Sequence, residues 1–61
     1  MNAIQVEPHL SYIDLALRWN MPVQTLRVYV MKHKLRPLKI GRHVRFPMAY
    51  ILEIEEAGGI S

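Results

Sequence analysis

The sequence predicts a small, mainly α-helical domain carrying one β-hairpin, and three observations lead there. Apolar residues recur at helical spacing in three separate stretches. A Gly-Arg pair stands between two short alternating runs. Seven of the eight Lys and Arg residues fall between residues 21 and 47, where none of the five Asp and Glu residues lies. Positions i, i+3 and i+4 share one helix face, while alternation about a glycine is the pattern of a tight hairpin. The cationic block also holds regularly spaced apolar residues, so it has a core to face and is not a disordered basic tail.

Taken in order, residues 1–10 hold Ile4, Val6 and Leu10 in loose alternation interrupted by Pro8, which allows at most a short edge strand. Ser11-Tyr12-Ile13-Asp14 has the form of an N-cap serine with an acid in the first turn, where a carboxylate favours the helix dipole. A first helix is therefore expected from about Tyr12 to Trp19, with Leu15, Ala16 and Trp19 on its apolar face. Asn20 tolerates the left-handed conformation and makes the turn. Pro22 pushes Met21 toward an extended conformation and, with its preset φ, opens a second helix. On that helix Val23, Leu26, Tyr29 and Val30 share the core face, which leaves Gln24, Arg27, Val28, Met31 and Lys32 on the other side. His33-Lys34 ends it. Two helices across so short a turn form a helix-turn-helix, whose second helix can lie in a DNA major groove.

Leu35 to Ile40, Gly41-Arg42 and His43 to Phe46 then read as the hairpin, with glycine supplying the positive φ of its turn. Leu38 and Ile40 share one parity, as do Val44 and Phe46, and these are the residues expected to pack. Lys39, Arg42, His43 and Arg45 are left for solvent or a ligand. Pro37 places its strand on an edge or at a bulge. After Pro47, Met48 to Glu56 regains helical spacing through Ile51 and Ile54 with Tyr50 nearby, stops at Gly58-Gly59, and closes the core as a third helix. Trp19, Leu26, Tyr29, Phe46 and Ile51 are read as core.

Sixty-one residues make a single domain, 1–61. A chain of this size buries only about 60% of its unfolded surface, so function is expected on a surface. Without cysteine there is neither a disulfide staple nor a thiolate metal site. No apolar run reaches the roughly 20 residues that span a bilayer. The N-terminus, with Glu7, Pro8 and no early Lys or Arg, is unlike a signal peptide, and a cytoplasmic location is expected. The net charge of +3 and a pI near 9.7 suit a nucleic-acid partner. His9, His33 and His43 lack metal-ligand spacing. No Ser-His-acid order, carboxylate pair or phosphate-cradling glycine loop appears, so neither an enzyme nor a bound cofactor is expected.

The turn Asn20-Met21-Pro22, the run Thr25-Leu26-Arg27-Val28-Tyr29-Val30, the following Leu35 and the Gly41-Arg42 tip resemble, in order and spacing, a known signature. It is that of the small excisionase-like winged-helix proteins related to the DNA-binding domains of the MerR regulators, and the match covers about residues 10 to 56. The resemblance implies a winged helix-turn-helix that binds double-stranded DNA. The second helix would enter the major groove, the hairpin wing would reach a minor groove or phosphate, and copies would line up cooperatively along a site. Carried over by position, the DNA-binding residues are Gln24, Thr25, Arg27, Val28, Met31 and Lys32 on the helix and Lys39, Arg42 and Arg45 on the wing. Gln24 and Arg27 are expected to read base edges and Arg42 to grip. Asn20 and His33 replace glycines of the family pattern. Val28 and Met31 are apolar where relatives often carry Arg, which suits a thymine methyl and not a bidentate pair with guanine. Within this class the resemblance implies an excisionase directing a site-specific recombinase, with a tyrosine-type integrase as partner, or a small transcription regulator. A protein-interaction adaptor using the same face is the alternative outside it.

Overall fold

A computed structural model describes residues 8–60, within which six elements follow one another: β1 (His9–Leu10), α1 (Tyr12–Trp19), α2 (Val23–Met31), β2 (Leu38–Ile40), β3 (His43–Pro47) and α3 (Met48–Glu56). Ile4 and Val6 lie outside the described residues. Three helices and a three-stranded antiparallel sheet make the fold mainly helical, as expected.

Local chemistry sets the helix ends. At the start of α1 the Ser11 hydroxyl accepts the Asp14 N–H at 3.1 Å and the Asp14 carboxylate accepts the Ser11 N–H at 3.1 Å, which satisfies two donors that the first turn would otherwise leave open. Pro22 and Pro47 precede α2 and α3, each in an extended conformation that directs the chain into the helix. All three helices stop in the same way. Asn20, His33 and Gly58 take φ of 55°, 62° and 98°. The N–H of the residue after each reaches back to a carbonyl of the last turn: Met21 to Ala16, Lys34 to Tyr29 and Gly59 to Ile54. This is the Schellman arrangement, and it needs a residue that accepts the left-handed region. His33 is the poorest suited of the three.

In the sheet, of order β1-β3-β2, the central strand β3 pairs with β1 through His9↔Pro47 and Leu10↔Phe46, and with β2 through Leu38↔Arg45, Lys39↔Val44 and Ile40↔His43. A further bond from the Met48 N–H to the Pro8 carbonyl, at 3.1 Å, fastens β1 to the start of α3. The hairpin turns on Gly41-Arg42, with the positive φ at the first central residue that a type II′ connection requires.

Among the described residues six form the buried core: Leu15, Ala16, Leu26, Leu35, Phe46 and Ile51. Fully burying a side chain such as Leu or Phe is worth about 1.5–3 kcal/mol, so these few residues carry much of the fold. Leu35 belongs to the turn after α2 and not to a strand, and the next N–H, that of Arg36, donates to the Tyr50 hydroxyl at 2.9 Å. Trp19 and Tyr29 are half-buried and pack against the core from its edge.

The hairpin departs from expectation in two respects: its first strand begins at Leu38 and not at Leu35, and that strand turns its apolar residues outward. Leu38 and Ile40 do not pack: they are 45% and 53% exposed. Directly opposed residues of an antiparallel pair point to the same face. Leu38 and Ile40 therefore share the outer face with Arg45 and His43, while Lys39 stands on the Val44 and Phe46 side. Parity alone leaves the choice of face open; the pairing register across the two-residue turn decides it. Among the described residues no helix is long and apolar enough to cross a membrane.

Candidate nucleic-acid interface

The core face of α2 holds Leu26 buried and Val23, Tyr29 and Val30 against the core, which turns Gln24, Arg27, Met31 and Lys32 outward. Thr25 and Val28 are half-buried at the margins of that outer face. Thr25 lies in the first turn, its N–H bonded to the Pro22 carbonyl at 3.1 Å, and Lys32 caps the C-terminus. Met31 is 69% exposed, so the helix presents an apolar side chain to solvent beside cationic ones.

Arg27 is held by its surroundings. Its guanidinium carbon lies 4.9 Å from the centre of the Tyr12 ring, and that ring meets Phe46 edge-on at 5.4 Å and 76°. Phe46 is fully buried, so the stack runs from the core through the first residue of α1 to the outer face of α2. A guanidinium over an aromatic face gains about 0.5–1 kcal/mol at an exposed site, and the stack restricts its rotamers while leaving its N–H donors at the rim.

Tyr12 and Arg27 of this stack line an open cleft of about 540 Å³ between the helices and the hairpin. Ser11, Tyr12 and Arg27 of the helical part and Arg42, His43 and Arg45 of the hairpin line it; among the described residues no carboxylate lines it, the Asp14 carboxylate being bonded to the Ser11 N–H. Arg45 is half-buried and donates from Nη1 to the Val44 carbonyl at 2.8 Å, which lays its side chain along its own strand. Arg42 is exposed at the tip. Of the nine residues expected at a DNA surface, the cleft gathers Arg27, Arg42 and Arg45; Gln24, Thr25, Val28, Met31, Lys32 and Lys39 do not line it. A concave site with three guanidinium groups and no acid attracts a polyanion.

Two groups escaped the sequence reading. The sequence marks Tyr12 only as the start of α1, and nothing in its spacing reveals a partner 15 positions further on in Arg27. The other is a polar cluster at the opposite end of α1. Glu55 of α3 accepts from Arg18 Nε at 2.7 Å, from Arg18 Nη2 at 2.8 Å and from Trp19 Nε1 at 2.7 Å. The hydrogen bond from Arg18, then that from Trp19, lowers the Glu55 carboxyl from its ordinary 4.5 to about 2. The hydrogen bond to Glu55 also raises the Arg18 guanidinium above its usual value. Among the described residues, no group of three or more His, Asp or Glu side chains could hold a metal ion. Comparison of the chain with family models, with curated proteins and with solved structures returns no match.

Proposed function

We propose that the chain is a double-stranded DNA-binding protein of winged helix-turn-helix form, acting as an excisionase-like architectural factor that directs a site-specific recombinase. The carrying observation is the cleft lined by Arg27 of α2 and by Arg42 and Arg45 of the hairpin, with no carboxylate in its lining among the described residues. It adjoins the outward face of α2 that bears Gln24 and Met31. A helix is about 10–12 Å across with its side chains, so α2, nine residues long, can lie in a major groove about 12 Å wide. With α2 in the groove, the hairpin meets the flanking backbone as a wing. Gln24 then reads an adenine edge and Met31 and Val28 meet thymine methyls, while Lys32, Lys39 and Arg42 attract phosphate. One such module offers little contact area, so copies bind side by side, and a tyrosine-type integrase is the enzyme they assist. A small transcription regulator would use the same contacts.

The exposed Leu38 and Ile40 favour a second reading, a protein contact on the outer face of the hairpin. The deciding experiment is binding to random-sequence duplex at two salt concentrations. DNA binding through phosphates is strong at low salt and collapses as salt rises, because condensed counterions are released. A chain that binds no duplex at low salt is an adaptor instead. Footprints that extend in steps as protein is added support side-by-side binding, and a single protected site that never extends counts against it.

A further inference from the structure

Arg27 lies on the outer face of α2, from which base edges would be read, yet its guanidinium rests on Tyr12 and lines the cleft shared with the hairpin. A side chain committed to the groove floor would point along the helix surface away from α1. Here it rests on the first residue of α1 and lines a cleft that Arg42 and Arg45 of the hairpin line as well. Three arginines lining one cleft, with no carboxylate lining it among the described residues, are matched by a ligand with several acceptor oxygens on one centre. A backbone phosphate has that chemistry; the edge of a base offers two acceptors at most.

We infer that Arg27, Arg42 and Arg45 form a seat for one backbone phosphate of duplex DNA, with Tyr12 as the positioning residue that holds Arg27 in it. This rests on the DNA-binding reading and revises one part of it: Arg27 grips the backbone together with the hairpin, and Gln24 is left as the reader on α2. The stack on Tyr12 fixes the plane of the guanidinium before DNA arrives, so less side-chain freedom is lost on binding. Because Tyr12 leans on Phe46, the seat is referenced to the core and not to a mobile side chain.

The test uses the whole chain and a short duplex selected by the wild-type protein from a random pool, with phosphates replaced one at a time by uncharged methylphosphonates. One replacement is expected to weaken wild-type binding about tenfold, as a charge-assisted contact is lost. On that duplex Arg27→Ala and Arg42→Ala should cause little further loss, whereas on the others each should keep its full effect and lower the salt slope by about 0.9. Tyr12→Phe should bind as wild type. Tyr12→Leu should lose several-fold and add nothing to Arg27→Ala, since coupled residues are not additive. Arg27→Lys leaves the Tyr12–Phe46 contact in place and keeps the charge without the planar fork; it should also lose several-fold, and it serves if Tyr12→Leu fails to fold. A flat methylphosphonate scan with intact binding overturns the seat while leaving DNA binding standing. Equal loss by Arg27→Ala on every modified duplex, or wild-type binding by Arg27→Lys, overturns it too. Failure of the wild type to bind any duplex removes the DNA-binding reading and the seat together.

Discussion

Arg18 and Arg27 are both helical arginines placed beside an aromatic residue, yet their surroundings use them differently. Arg18 commits two nitrogens to Glu55, which also takes the Trp19 indole N–H. Arg27 lies over the Tyr12 ring in a cleft without carboxylates. The first arrangement neutralises a charge and ties α1 to α3. The second orients a charge, and among the described residues no carboxylate pairs with it. Residue type alone does not separate a structural arginine from a binding one; the partner does, and the acids on α3 provide it at one end only.

The largest effect should come from the residue beneath the open end. Phe46 is fully buried and supports Tyr12, so Phe46→Ala should cost about 3–5 kcal/mol and remove the cooperative melt along with DNA binding. A Phe46→Ala protein that melts near wild type would show that the stack is not anchored in the core.

Arg42→Ala should separate the two ends. Affinity at low salt should fall several-fold and the salt slope by about 0.9, while stability stays within about 0.5 kcal/mol. Binding that is unchanged, measured by anisotropy, would mean that the hairpin tip does not touch the polyanion.

Glu55→Gln should do the reverse, lowering the melting temperature at neutral pH and leaving DNA affinity alone. The sign of the pH effect follows from a carboxyl held at about 2 in the fold against an ordinary 4.5. The folded form binds the proton less readily, so the stabilisation is present above about 4.5 and is lost as pH falls toward 2. The melting temperature of the wild type should therefore fall as the pH is lowered through this range, and that of Glu55→Gln should fall less. Equal falls would mean that the Arg18 pair makes no difference in solution.

The smallest effect concerns a helix end. His33 holds a φ of 62°, and relieving the left-handed strain with His33→Gly should raise stability by up to about 1 kcal/mol. A loss on chemical denaturation would show that the imidazole makes up for the strain.

What the sequence disclosed follows the range of the interactions involved. The bounds of α1 and α3, the capping box and the left-handed Asn20 depend on neighbours within a turn, and residue order is enough to read them. The Arg18–Glu55 contact spans 37 positions and the Tyr12–Arg27 stack joins two helices, so no local pattern announces either. Arg27, Arg42 and Arg45 were legible as cations, but their meeting in one cleft was not, because that depends on how the hairpin folds against α1. Leu38 and Ile40 were misassigned for a related reason: an alternating strand offers two faces, and composition favoured the wrong one.

That pleat has a consequence for descent. β3 is fixed by Phe46, so the face that β2 turns outward depends on the number of residues in the Gly41-Arg42 tip. If an inserted codon shifted the ladder by one position, Lys39 would join Arg45 on the outside and Leu38 and Ile40 would turn inward. Homologues differing by one residue at the tip would then display opposite chemistry on the ribbon from nearly the same strand sequence. Insertion or deletion at this turn, more than point substitution, is the step by which a lineage would exchange an apolar outer ribbon for a cationic one.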